Sequence, residues 1–380
     1  MRQKCAIMEV RIPGTVGVRK TFRYIILGLA VLANLCCIAS YSEAGKVLTS
    51  NVFHVGYRII DLKYQASEKE RIVTIAVWYP TVTPPKRFIY GGPTRGSIAL
   101  DAEPHIEGGP YPLLVFSHGY GGSGLGSVFF TEPLAACGWI VVAPDHHDRH
   151  TAVRIRSGGM ADYDSLGLLR HAQEITRSGP NDREAYLYRL DEMKLVLDRI
   201  LKSEPFGKLI DRNKITVGGH SFGGFTALGL CGTIEERRDD RIKAVLLFST
   251  GAGGYLFRES ELAAVKVPSM YFLGEREKDQ KRGSKTMAEL ADKVYRNLPP
   301  PKYFLEVRGA NHFSFNNCFN NRAAHLSLCG AEEQFGVIRR YSIAFLEKHG
   351  AGKKDVSSVL EQQDPLLTRY IRELSKEFRD

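Results

Sequence analysis

Several things are missing from this sequence, and each omission removes a class of protein. No segment repeats at a period of 20–50 residues, which excludes a solenoid or propeller. Collagen-like, Gln/Asn-rich and heptad-patterned stretches are also missing, so fibrous and coiled-coil folds drop out. The longest apolar run, "YIILGLAVLANLCCIA" at 24–39, falls short of the roughly 20 residues a membrane span needs. Basic residues exceed acidic ones, for a net charge of +10, yet they are scattered and fit no nucleic-acid-binding motif. That balance suits weak contact with an anionic surface and no nucleic-acid partner.

The apolar run follows Arg19, Lys20 and Arg23 and precedes the small residues Ser42 and Ala44. A basic start, a short apolar stretch and a small-residue exit describe a secretory signal over 1–44, with an uncleaved N-terminal anchor as the alternative. The expected location is therefore secreted or periplasmic. Its removal takes away six basic and two acidic residues and leaves +6. Four cysteines follow it. Cys318 and Cys329 flank a polar loop and are expected to form a disulfide, which export permits. Cys137 and Cys231 lie in apolar helical patterns and read as buried thiols.

Continuous apolar runs at 112–119, 139–145, 214–220, 243–250, 268–274 and 302–309 read as strands covered on both faces. Between them the spacing turns helical. Leu190, Met193, Leu197, Ile200 and Leu201 make one stripe, and Phe335, Ile338, Phe345 and Leu346 make another, stopped by Gly350. Strands alternating with helices imply βαβ units and a mostly parallel sheet over 45–350. Strands around 52–80 have no crossover and form an antiparallel edge. The charged piece 351–380 is expected to be a helical extension. Some forty mostly polar residues over 145–184 make a connection long enough to act as a lid, placed where strand ends line a ligand crevice.

One serine stands out in "ITVGGHSFGGFTALGL". Gly219-His220-Ser221-Phe222-Gly223 is a G-x-S-x-G at a strand-to-helix join, the context in which a sharp turn projects a nucleophilic serine. A base and an acid should follow in chain order. Of the histidines after Ser221, His312 follows a strand directly in "RGANHFSF", whereas His325 lies in the cysteine-bounded loop and His349 ends a helix. His312 is the expected base. The acid is Glu277, three residues past Gly274 in "LGEREKDQ", with Asp279 as the alternative. An oxyanion needs two amides: Phe222 N–H, just after the serine, and Tyr120 N–H in the glycine-rich loop "SHGYGGSGLG". Phe313 and Phe315, beside the base, are expected to line an apolar substrate pocket.

"VWYP", "PLLVFSHGYGG", "GHSFGG" and "GANHFSF" resemble the platelet-activating-factor acetylhydrolase and dienelactone-hydrolase-like branch of the α/β-hydrolases, over about Val55 to His349. The resemblance implies an eight-stranded, mostly parallel sheet and serine hydrolysis of small-molecule or lipid esters without a cofactor. It departs in two places. Animal acetylhydrolases carry the acid after the preceding strand, where this chain reads "FSTGAGG", and dienelactone hydrolases use cysteine where this chain has Ser221. Rival readings share the fold: a cutinase-like polyesterase, a lipase, or a non-catalytic binding protein. The run "DHHDRH" at 145–150 invites a metal reading, but no second ligand set accompanies it, so no metal is expected.

Overall fold

Strand order in the sheet decides which loops meet. The computed structural model describes residues 53–66, 69–157, 159–160, 164–322 and 326–374. The proposed signal segment and His325 lie outside them. Eleven strands form one sheet: β1 (His54–Ala66), β2 (Lys69–Thr81), β3 (Lys86–Gly91), β4 (Thr94–Leu100), β5 (Tyr111–Ser117), β6 (Ile140–Pro144), β7 (Ile210–His220), β8 (Ile242–Phe248), β9 (Ser269–Gly274), β10 (Lys302–Val307) and β11 (Leu367–Glu373). Their spatial order is β11-β10-β9-β8-β7-β5-β6-β2-β1-β4-β3. The six strands from β6 to β10 run parallel, and β2 joins β6 antiparallel. These six are the continuous apolar runs of the sequence, because helices cover both of their faces. Val115, Val217, Leu247 and Leu273 are fully buried in the core between them.

Among the described residues the sheet has eleven strands and not eight. A β3–β4 hairpin extends it beyond β1, and β11 closes the other edge. The strand β11 corrects the helix expected over 351–380, where, among the described residues, only Ser357–Glu361 is helical. "LTRYIRE" pairs antiparallel with β10, Leu305 opposite Tyr370, and Arg369 stacks on Phe304. An edge strand with one wet face can carry three charged residues, and that polarity mimics a helix in sequence.

The helices that bear on the crevice are α1 (Val128–Ala136), α2 (Ser165–Arg177), α3 (Tyr188–Ile200), α4 (Phe222–Leu228), α5 (Gly251–Leu256), α6 (Met287–Asn297) and α7 (Glu332–Phe345). The described part of the long connection over 145–184 carries secondary structure. It holds a two-residue hairpin, Val153–Arg154 with Gly159–Met160, and then α2, capped by the Asp164 carboxylate on the Gly167 N–H. Among the described residues no helix is long and apolar enough to cross a membrane.

Candidate active site

Ser221 sits between β7 and α4 at φ 54°, ψ −116°, a conformation that costs a non-glycine residue about 1–3 kcal/mol. Two neighbouring glycines make that turn feasible. A Cβ at Gly219 would lie 2.2 Å from the Gly223 carbonyl oxygen, and one at Gly223 2.0 Å from that of Ser117. The Ser221 N–H donates to Phe248 O at 2.8 Å, tying the turn to β8. Its hydroxyl is thereby presented at the carboxyl end of the sheet.

There Ser221 Oγ lies 2.9 Å from His312 Nε2, and His312 Nδ1 lies 2.9 Å from Glu277 Oε2. Glu277 is fully buried, while the His312 ring is 15% exposed. Of the two acids weighed from sequence, Glu277 meets the histidine and Asp279 is exposed. A four-residue turn explains this: the Gly274 N–H donates to Glu277 Oε1 at 2.8 Å, the Glu277 N–H donates to Gly274 O at 3.1 Å, and the carboxylate folds back over the end of β9.

Sequence reasoning missed two members of this cluster. Ser249, at the end of β8 with φ 47°, donates its hydroxyl proton to Glu277 Oε2 at 2.6 Å and lies 2.7 Å from His312 Nδ1. It stands in the "FSTGAGG" stretch that lacks a carboxylate. His220 donates from Nε2 to the His312 carbonyl at 2.9 Å and accepts from Asn316 at Nδ1. Burial, with His312 beside it, holds the His220 pKa well below its ordinary value, so the ring stays neutral. Neither had a motif; only strand order brings them to the site.

Opposite the histidine runs the glycine-rich loop after β5. Tyr120 N–H has no partner among the described residues. Phe222, at the first turn of α4, offers an N–H with no intrahelical acceptor. The Tyr120 hydroxyl hydrogen-bonds His171 on α2, and Leu168 of α2 closes on Gly121, so the long connection rests on this loop. Phe313 is 51% exposed with its ring edge-on to His312. Phe315 corrects its expected role. It is fully buried and stacks with Phe248 and His220, so it is core rather than pocket wall.

The "DHHDRH" run resolves into separate anchors. Asp145 accepts from the Gly124 and Ile155 amides, His146 and His147 both bond Glu192, and Asp148 pairs with Arg189. Among the described residues no group of His, Cys, Asp and Glu side chains could hold a metal ion. Burial raises the Asp145 pKa to about 6 against those two amides. Burial also raises the Glu192 carboxyl, but the His146 and His147 hydrogen bonds outweigh it and lower it to about 2. Cys318 and Cys329 form a disulfide; Cys231 is a buried thiol, and Cys137 is only half-buried.

Known proteins resemble this chain to different depths. A family model described as platelet-activating factor acetylhydrolase, isoform II, matches residues 94–158, which hold the glycine-rich loop but neither Ser221 nor His312. Over 283 residues the chain is 28% identical to "Platelet-activating factor acetylhydrolase" of Cavia porcellus, covering 67% of this chain and 62% of that protein. The chain thus spans less than two thirds of that relative's length. The solved structure of a ferulic acid esterase from Streptomyces cinnamoneus superposes with a TM-score of 0.61 at 19% identity, covering 84% of this chain and 94% of that one. At that identity the likeness concerns the fold. The chain has the fold of that esterase, and its sequence is similar to platelet-activating factor acetylhydrolase.

Proposed function

We propose that the protein is a serine carboxylic-ester hydrolase acting on short-acyl or lipid esters, with Ser221 as nucleophile, His312 as base and Glu277 as acid. The observation that carries this reading is the unbroken run of two 2.9 Å hydrogen bonds from Ser221 through His312 to Glu277. With Nδ1–H committed to Glu277, the lone pair of Nε2 faces the serine hydroxyl and can take its proton. Ser221 Oγ then attacks the ester carbonyl, whose oxygen becomes an oxyanion held by the Tyr120 and Phe222 amides. His312 passes its proton to the departing alcohol. It next deprotonates a water molecule that attacks the acyl-enzyme and releases the acid, restoring Ser221. The buried Glu277 carboxylate offsets the imidazolium formed at both steps. The similarity to an acetylhydrolase supports a small acyl group, and Phe313 beside His312 supports an apolar one.

Hydrolysis of p-nitrophenyl esters from acetate to palmitate tests the reading, with Ser221→Ala alongside. Turnover strongest on short chains and lost in the variant is expected. A preference for long chains would favour a lipase. Turnover that survives without Ser221, or is absent on every chain, would overturn the assignment.

A further inference from the structure

The catalytic scheme leaves one large buried group unused. Arg189, near the start of α3, and Asp148, in the "DHHDRH" run, form an ion pair with both side chains fully buried, at 2.9 Å (Nε to Oδ1) and 2.8 Å (Nη2 to Oδ2). Burial alone raises the Asp148 carboxyl, but the Arg189 charge and its hydrogen bonds outweigh that and hold it far below the usual range. Such a pair is a poor stabiliser, since apolar residues of equal volume generally serve as well or better. Its contacts suggest what it does instead.

Every remaining hydrogen bond of the pair but one goes to the loop that carries Tyr120. Arg189 Nη1 donates to His118 O at 2.8 Å and reaches Ser117 Oγ at 3.5 Å, while Nη2 donates to Gly119 O at 3.4 Å. Asp148 Oδ2 accepts the Gly121 N–H at 2.9 Å. The exception, the Tyr188 hydroxyl, donates to Asp148 Oδ1 at 2.7 Å and steadies the acid. The guanidinium also lies over the Phe222 ring, 4.8 Å from its centroid. The pair therefore grips the loop on both sides of Tyr120 and rests on the residue that supplies the second amide.

Peptide geometry turns this grip into an aim. In a trans peptide the C=O and the following N–H point in opposite directions. Gly119 C=O and Tyr120 N–H belong to one peptide, so fixing the carbonyl toward Arg189 turns the amide away from it. His118 pulls the same way. Its Nε2 accepts the His146 N–H at 3.0 Å, so Nδ1 carries the proton and donates to Gly119 O at 2.6 Å. Burial, with Arg189 nearby, lowers the His118 pKa to about 3 and keeps that tautomer neutral.

We propose that the buried Arg189–Asp148 pair is a positioning device that aims the Tyr120 amide at the oxyanion, so that its contribution appears in turnover and not in substrate binding. The inference rests on the ester-hydrolase reading above. A donor displaced by about 1 Å can lose about 10²-fold in rate, comparable to losing an oxyanion donor outright.

Two variants and one inhibitor test it. Arg189→Lys keeps the charge but cannot form the two-pronged bond to Asp148 while also holding two carbonyls. Tyr188→Phe leaves the pair intact and removes one support. For each, kcat and KM are measured on the best p-nitrophenyl ester, together with Ki for an alkyl trifluoromethyl ketone. That ketone accepts Ser221 Oγ at its carbonyl carbon, the serine proton passes to His312, and the resulting hemiketal oxyanion occupies the site. For Arg189→Lys we expect kcat to fall about 10²-fold with KM within about threefold, and Ki to rise in step with the loss of kcat. Tyr188→Phe should show the same split at about three- to tenfold, and it decides the question if Arg189→Lys does not fold. Folded variants with unchanged kcat and Ki, or with losses confined to KM, would overturn the proposal. A parent protein that neither turns over esters nor binds the ketone would overturn the hydrolase reading and this inference together, whereas an active parent with indifferent variants would overturn the inference alone.

Discussion

The two walls of the crevice are built by different physics. On the side of the serine turn and the glycine-rich loop, position comes from steric necessity and buried charge: Gly219 and Gly223 admit no side chain, and Arg189, Asp148 and Glu192 are sealed beneath. On the histidine side, position comes from short hydrogen bonds among uncharged groups around one carboxylate: Ser249 and the Gly274 amide hold Glu277, while His220 and Asn316 hold the backbone at His312. Each wall suits its task. The proposed base must gain and lose a proton, and strongly charged neighbours would fix its charge state. The proposed oxyanion amides opposite must not move as negative charge develops, and a charged lattice resists displacement.

The comparison is broken most severely at the acid. Glu277→Gln should lower kcat by about 10⁴-fold, the loss typical when a triad carboxylate becomes an amide and the histidine takes the wrong tautomer. Asp279→Asn should change it by less than about twofold, because Asp279 is exposed. Steady-state kinetics on the two variants would show whether the histidine wall depends on this one charge. Equal losses would mean the acid is misassigned.

On the other wall, Gly223→Ala places a methyl group 2.0 Å from a backbone oxygen that cannot yield cheaply. A loss of about 3 kcal/mol or more in urea unfolding is expected. A stable Gly223→Ala would show that the turn relaxes and that sterics do not set the nucleophile.

Glu192 tests whether buried charge stabilises that wall. Its folded pKa is lowered to about 2 from an unfolded value of 4.5, so its contribution is fully present above pH 4.5 and fades as pH falls toward 2. The linkage amounts to about 3 kcal/mol at 1.36 kcal/mol per pH unit. Stability measured against pH should fall across that window in the parent and be flatter in Glu192→Gln, which starts less stable at neutral pH. Parallel curves would contradict the assignment.

The smallest effect sharpens the histidine wall. Ser249→Ala removes one hydrogen bond to a carboxylate, worth about 1.5–3 kcal/mol, and leaves the Gly274 amide and His312 on Glu277. About a tenfold fall in kcat with unchanged KM is expected from initial-rate kinetics.

Much of this was legible in the sequence where one residue type does one job. The six continuous apolar runs became the six parallel strands because burial on both faces leaves no other composition. Ser221 and His312, which the structure brings together with Glu277, were legible because a glycine-framed turn and chain order are local signals, whereas chain order left Glu277 and Asp279 both open. What escaped notice depends on strand neighbours far apart in sequence. Ser249 meets Glu277 only because β8 and β9 are adjacent, and Arg189 meets Asp148 across 41 residues. The "DHHDRH" run showed its charges but not their partners. Phe315 was misread for the converse reason: proximity to His312 in sequence says nothing of which way a ring points, and it turns inward onto Phe248. The edge strand β11 was hidden by its charges.

The central claim, that Ser221 carries the acyl group, is tested most directly by trapping. The protein would be mixed with p-nitrophenyl acetate, quenched in acid within the first turnover, digested and read by mass spectrometry. The account predicts one acetyl group on the peptide holding Gly219–Gly223, absent from Ser221→Ala and accumulating no faster than p-nitrophenol is released. An acetyl group on another residue, or steady turnover in Ser221→Ala, would contradict it.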